Sequence, residues 1–141
     1  MKIRPFCLVD MDAVIALWQA CELIRPWNNP HFDILRKLKV QSSLFVVGEQ
    51  GSDIIATAMF GYDGHRGWVN YLAVLPRHQK LGYARQLMEY GERALLSLGC
   101  PKLNLQIRSD NMQARSFYTS LGYAEDEVVS YGKRLLEDES C

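Results

Sequence analysis

The chain has no surplus of either charge: sixteen Lys and Arg residues balance sixteen Asp and Glu. That balance argues against a general binder of nucleic acid or of an anionic membrane surface, which ordinarily carries a basic excess. No apolar run approaches the ~20 residues of a membrane-spanning helix. The opening MKIRPFCLVD lacks the long apolar stretch of a secretory leader. The four cysteines, Cys7, Cys21, Cys100 and Cys141, form no CxxC pair and no His/Cys spacing that would hold zinc. They read as reduced thiols, with neither a disulfide framework nor a metal site. No repeat, low-complexity tract or linker divides the chain. The expectation is one domain over residues 1–141, in the cytoplasm, with no metal, nucleic acid or membrane among its partners.

What is present is enough to fold. With 141 residues, 48% of them hydrophobic, such a chain buries roughly 68–70% of the surface its unfolded form exposes. Residues 2–6 read as a first strand. Val14, Leu17, Trp18 and Cys21 then fall at i, i+3, i+4 and i+7, a helical stripe with Asp10 placed to cap it. Asn29 before Pro30 signals a second helix, running to about Val40. Residues 44–48 and 54–62 are strand-like, and Asp63-Gly64 is a turn pair leading to a strand over 68–75. The longest helix carries Ala84, Leu87, Met88, Gly91, Leu95 and Leu98 on one face, with Gly99 as its left-handed stop. Leu103, Leu105 and Ile107 alternate as a strand, and a helix from Met112 to Leu121 ends at Gly122. The remainder, YAEDEVVSYGKRLL, reads as two short strands. The order β-α-α-β-β-β-α-β-α-β-β predicts an α/β (α+β) domain with a mixed sheet.

Between the apolar run NYLAVLP and the longest helix lies QKLGYA, residues 79–84. The first turn of a helix has amide N–H groups without partners and the positive end of the helix dipole, so anions collect there. Gly82 and Ala84 leave that backbone bare, and a phosphate or pyrophosphate is the natural guest. On the loop alone, a glycine chosen only for its dihedrals is the stronger reading. Neither GxxxxGK[ST] nor GxGxxG with a downstream acid is present.

The wider context adds to this. LAVLPRHQKLGYARQLM, with LNLQIRSDNMQARSFYTSLGY after it, resembles the GNAT superfamily of acyl-CoA-dependent N-acetyltransferases. Gln79, Gly82 and Ala84 match its Q/R-x-x-G-x-G/A turn. Asn111, Ala114, Phe117, Tyr118, Leu121, Gly122 and Tyr123 match its second signature, an Asn-led helix with a Tyr and then L-G-Y. RPWNNP, YDGHRG and YGKRLLEDE look like the bacterial YpeA-type subgroup. The resemblance implies a fold whose fourth and fifth strands splay apart. The pantetheine of acetyl-CoA enters the gap against the backbone of Leu72, Ala73 and Val74. Its pyrophosphate rests on Gln79, Lys80, Leu81, Gly82, Tyr83 and Ala84, with Asn111 and Tyr118 as further contacts. The implied reaction is direct attack of a primary amine on the thioester, with Tyr118 donating to the sulfur as it leaves. Homodimers are common in the fold.

The base is left open. An amine of pKa ~10.4 is almost wholly protonated at neutral pH, and Gln106 stands where peptide-acetylating relatives often carry Glu. Asp63, His65 and Tyr71 are the other candidates, beside a turn reading of Asp63-Gly64. Arg25, Trp27 and Asn28, between the first two helices, are a candidate lid over the acceptor or simply a Pro-bounded turn. The acidic EDES at the C-terminus reads as a solvated tail. The expected function is acetyl transfer to a small or amino-acid-like amine. The alternatives are a protein or peptide N-acetyltransferase and a non-catalytic acyl-CoA sensor.

Overall fold

A computed structural model describes residues 1–139. Ser140, at the end of the expected acidic tail, and Cys141 lie outside the described residues. The elements are β1 (Lys2–Pro5), α1 (Met11–Ala20), α2 (Pro30–Lys37), β2 (Phe45–Gln50), β3 (Asp53–Tyr62), β4 (Gly67–Val74), α3 (Tyr83–Ser97), β5 (Leu103–Asn104) and α4 (Met112–Ser120). The sheet runs β1-β2-β3-β4-β5 in space. Its first three pairings are antiparallel, and β4 with β5 is parallel. This is the mixed α+β fold expected, a five-stranded sheet with helices on both faces.

Each face buries its own core. On one side Val14, Leu17 and Trp18 of α1 and Ile34 of α2 meet Phe45, Val47, Met59 and Ala73 of the sheet. On the other, Leu87, Met88 and Leu95 of α3 meet Val46, Ala56, Ala58, Phe60 and Val74. The alternation of strand side chains between faces assigns the two sets: Val46 and Val47, or Ala73 and Val74, are neighbours that enter opposite cores. α2 begins as its sequence dictates. Pro30 occupies the first turn, where a missing N–H costs nothing, and the Asn29 side chain accepts from the His31 amide at 3.0 Å.

Three expectations are corrected. Asp10 stands at the N-cap position of α1 but makes no capping bond. The chain enters α1 through a tight turn over Leu8–Asp10, and the buried carboxylate accepts instead from Cys7 N and Arg4 Nη1, both at 2.8 Å. β5 ends at Asn104, not Ile107. Among the described residues no strand follows α4, where two were expected. Strand formation there needs one face to bury and an edge to pair with. Val128, Val129, Tyr131, Leu135 and Leu136 are instead at least 66% exposed, and β5 offers an edge of only Leu103 and Asn104. The segment is tied by side chains: Lys102 Nζ to Asp126 at 2.9 Å, and Gln106 to Ser130.

Gly91, in the interior of α3, lies where the helix crosses Phe60, which is fully buried. A Cβ here would overlap the Phe60 ring. Gly91→Ala gains up to ~1 kcal/mol of helix propensity, but overpacking a closed core costs ~1–3 kcal/mol. A net destabilisation of about 1–2 kcal/mol is expected, read as a lower urea midpoint at unchanged slope; a stabilised variant would refute the close approach.

Candidate active site

β4 and β5 pair only at their beginnings, Gly67 with Leu103 and Trp68 with Asn104. That junction is tight. Gly67 N donates to Lys102 O at 2.8 Å, and a Cβ at Gly67 would lie 2.9 Å from Cys100 Sγ. Beyond it β4 continues to Val74 with no strand along that edge among the described residues. The strands therefore form a fork. Its cause lies on the other side of β4, where the register with β3 slips between Thr57–Ala73 and Met59–Asn70. Tyr71 and Leu72 together face Ala58, a bulge that adds twist and swings β4 off line. Tyr71 takes φ +52° there, a region that non-glycine residues seldom occupy.

A chain of buried hydrogen bonds holds the bulge. Trp18 Nε1 donates to Thr57 Oγ1 at 2.9 Å, and Thr57 Oγ1 donates to the Tyr71 carbonyl at 2.9 Å. The Tyr71 ring stacks on Trp18, with centroids 3.7 Å apart. Its hydroxyl donates to Asp33 Oδ2 on α2 at 2.6 Å. Burial first, and then the Asp33 carboxylate, push the Tyr71 phenol well above its ordinary range.

Five of the sequence-selected residues share one side of the sheet. Leu72, Val74, Tyr83, Ala84 and Tyr118 lie in or against the core on the α3 side, whereas Ala73 faces the α1–α2 side. The loop at 79–82 is exposed and carries two left-handed residues, Lys80 at φ +64° and Gly82 at φ +89°. A Cβ at Gly82 would meet nothing within 4 Å, so the approach to α3 is open. The helix has no side-chain cap and no acid in its first turn. Arg77, Lys80 and Arg85 stand exposed beside it. An anion placed there gains from amides, dipole and side chains together.

Asn111 caps α4, its side chain accepting from Ala114 N at 3.1 Å. Tyr118 packs edge-on between Phe117 and Tyr123, and burial raises its phenol to about 12. Its hydroxyl makes no hydrogen bond among the described residues. Gln79 does more than the loop motif suggested: its Nε2 donates to Val74 O at 2.9 Å, where Cys21 Sγ also bonds at 3.2 Å. The Val74 carbonyl is thus already engaged, and the open edge of β4 lies before it.

Several base candidates are occupied elsewhere. Asp63 Oδ1 accepts from the amides of Arg66 and His65 at 2.7 and 2.8 Å. Those bonds hold its carboxyl below the usual range and make it a turn residue. Gln106 is bonded to Ser130. In the candidate lid, Trp27 is 51% exposed, and Asn28 Oδ1 accepts from Arg134 at 2.7 Å. Sequence reasoning missed Asp33, which sits in the first turn of α2. Its contact with Tyr71 spans 38 positions and leaves no local signal. A separate cavity of about 350 Å³, lined by residues including Leu95, Cys100 and Tyr123, lies at the paired end of the fork. None of the expected cofactor contacts lines it, although Leu121, Gly122 and Tyr123 of the second signature do.

The profile of the acetyltransferase (GNAT) family matches residues 11–123. The chain belongs to that family. It is an acetyl-CoA-dependent N-acetyltransferase, and the fork and the bare α3 entrance suit such a donor. Solved structures share the fold at low identity. The ribosomal-protein-S18-alanine N-acetyltransferase from Escherichia coli is 22% identical, with a TM-score of 0.73 over 89% of this chain and 78% of its own. The aminoglycoside antibiotic 6'-N-acetyltransferase from Acinetobacter haemolyticus is 19% identical, with a TM-score of 0.75 over 97% and 100%. Naa20 from Chaetomium thermophilum, solved with a bisubstrate analogue, is 24% identical, with a TM-score of 0.72 over 88% and 71%. Among the described residues no His, Cys, Asp and Glu gather as a metal site, and no helix is long and apolar enough to cross a membrane.

The acetyltransferase's bulge hangs on Thr57. Thr57→Val keeps the shape but leaves the buried Trp18 N–H and the Tyr71 carbonyl without their partner. A loss of about 1–3 kcal/mol is expected from such orphaned groups. Chemical denaturation checks it, and an unchanged midpoint would mean that the bulge does not rest on this hydroxyl.

Proposed function

We propose that this acetyltransferase acts on the primary amine of a small or amino-acid-like molecule. Pantetheine lies along the open edge of β4 at Leu72–Val74. The pyrophosphate rests on the amides of residues 79–84, and Asn111 borders the cofactor. Tyr118 meets the sulfur: a phenol that stays protonated and has no acceptor among the described residues can stabilise the departing thiolate through a hydrogen bond. Since its proton is held more tightly than that of a thiol (~8.5), stabilisation rather than complete transfer is its part.

One observation favours a small acceptor over a chain. The C-terminal segment crosses to the α1–α2 connection and is bound there. Asp138 accepts from Asn29 N at 2.9 Å and from Arg36 at 2.8 Å, and Arg134 holds Asn28. A peptide would need that side clear. The absence of a Glu at Gln106 points the same way. The likenesses to aminoglycoside and protein acetyltransferases are of fold and do not decide between acceptors. RPWNNP, YDGHRG and YGKRLLEDE support placing the chain in the YpeA-type subgroup, and the free thiols Cys7, Cys21 and Cys100 suit a reducing cytoplasm.

The test is a mixture of amines, amino acids, polyamines and short peptides incubated with acetyl-CoA and read by mass spectrometry. A small amine should gain an acetyl group, and Tyr118→Phe should lower kcat by about 10²-fold with little change in acetyl-CoA affinity. Acetylation of peptides alone would overturn the small-acceptor reading. At the other end of the cofactor, Gly82→Glu should weaken acetyl-CoA binding by roughly fivefold or more, since like charges about 4 Å apart repel by ~1 kcal/mol even in water. Calorimetry measures this, with Gly82→Ala separating backbone strain from charge. Equal affinities for the Ala and Glu variants would remove the phosphates from this loop.

A further inference from the structure

The proposed reaction needs a proton acceptor that Gln106 cannot be and that Asp63 is not placed to be. A pair of residues stands at the bulge itself. Tyr71 immediately precedes the stretch of β4 assigned to pantetheine, and its side chain leaves the sheet on the α1–α2 face, opposite α3. Its ring is clamped against Trp18 at 3.7 Å, its carbonyl is fixed by Thr57, and its hydroxyl proton points at Asp33 Oδ2, 2.6 Å away. A residue so constrained, in a backbone conformation that costs free energy, is positioned rather than merely packed.

We propose that Tyr71 and Asp33 form a proton relay for the acceptor amine, with Tyr71 meeting the amine and Asp33 acting through it. This rests on the acetyl-transfer reading of the fork. The bound ammonium first passes one proton to the Tyr71 oxygen, and the neutral nitrogen then bonds to the acetyl carbon as the carbon–sulfur bond breaks, its remaining surplus proton going to water. The phenolic proton passes on to Asp33 Oδ2. The electron pair of the broken bond leaves on sulfur, facing Tyr118. Tyr71 ends neutral, Asp33 ends protonated, and bulk water takes the proton afterwards from the partly exposed carboxyl.

The surrounding charges fit. Arg36 Nη2 donates to Asp33 Oδ1 at 3.1 Å and to Asp138 at 2.8 Å, and Arg134 lies 3.4 Å from the same Asp138. From α1, the uncharged Trp18 stacks on the Tyr71 ring. Arg36 thus turns Asp33 so that its second oxygen meets Tyr71. Because burial and Asp33 hold the phenol protonated, Tyr71 cannot serve as a standing phenolate base. It can only pass a proton on, and that is what makes Asp33 necessary.

The test compares full-length wild type, Asp33→Asn, Asp33→Glu and Tyr71→Phe, each first shown to bind acetyl-CoA as wild type does. Ultraviolet difference titration, with the Tyr71→Phe trace subtracted, isolates the Tyr71 phenol. It should ionise at lower pH in Asp33→Asn than in wild type; an unmoved Tyr71 overturns the pair whether or not an acceptor has been found. Transfer to the amine identified in the panel is then followed between about pH 6 and pH 10. At pH 7, Asp33→Asn and Tyr71→Phe should each lose about 10²-fold in kcat. The double variant should lose no more than either, and Asp33→Glu should recover part. The gap should close as the pH nears ~10, where the amine arrives already neutral. A loss by the same factor at every pH, or one confined to KM, overturns the relay and leaves Asp33 a structural partner. No transfer by wild type would strike at the acetyl-transfer reading instead, while the titration still decides the pair.

Discussion

Everything distinctive in this molecule follows from the bulge at Tyr71 and the Thr57 hydroxyl that holds it. Thr57 is fully buried in the middle of the sheet, where a polar group is tolerated only when its bonds are made. It accepts from Trp18 and donates to Tyr71, tying α1, β3 and β4 at one point. With the register slipped there, β4 turns away from β5 after two parallel pairs, and the edge beyond must find other partners. A bound extended molecule is one answer to that requirement. The fork is thus tied to a buried hydroxyl with both its hydrogen bonds made, not to weak pairing between the two strands. The tight contact of Gly67 with Lys102 and Cys100 shows the pairing to be close where it exists.

The sequence revealed most where the signals were local. Pro30 after Asn29 marked α2, and the turn pair Asp63-Gly64 marked the β3–β4 hairpin. The Gln79–Ala84 loop and the Asn111–Tyr123 stretch carried the family before any coordinate was needed. It failed where a competing contact was distant. Asp10 had the right residue type in the right place for a cap, yet Arg4, from β1, supplied a stronger charged partner. The tail over 124–139 had strand-forming residues but no edge long enough to receive them. Asp33 was invisible for the same reason: nothing in PHFDILRK separates a carboxylate that serves the site from one that decorates a helix.

The tail's position has a second consequence. Arg36 bridges two carboxylates, Asp33 and Asp138, which come from α2 and from the last described stretch of the chain. Asp138 is nearly inaccessible, with 3% of its side chain exposed, while Arg36 remains 47% exposed. Such a bridge is not chiefly a source of stability, because exposed ion pairs are worth little. Its effect is orientation. It fixes which oxygen of Asp33 is left for Tyr71, and it lays the C-terminal residues across the connection between α1 and α2.

Two tyrosines from opposite faces of the sheet therefore converge on one reaction in the proposed mechanism. Both are held in the protonated form by burial, so acidity does not distinguish them. Their partners do. Tyr118, on α4, has ring neighbours and, among the described residues, no hydrogen-bond acceptor, so its proton is free to meet a developing anion. Tyr71, on β4, has committed its proton to Asp33, which leaves its oxygen lone pairs to accept. One phenol can therefore only give and the other only receive and relay. The two phenols therefore address one thioester from opposite sides of the fork, Tyr118 at the sulfur and Tyr71 at the amine. The direction of attack is then set by the alternation of side chains along β4: Leu72 faces the α3 core and Tyr71 the α1–α2 core, and the bulge sets where along the strand the two meet.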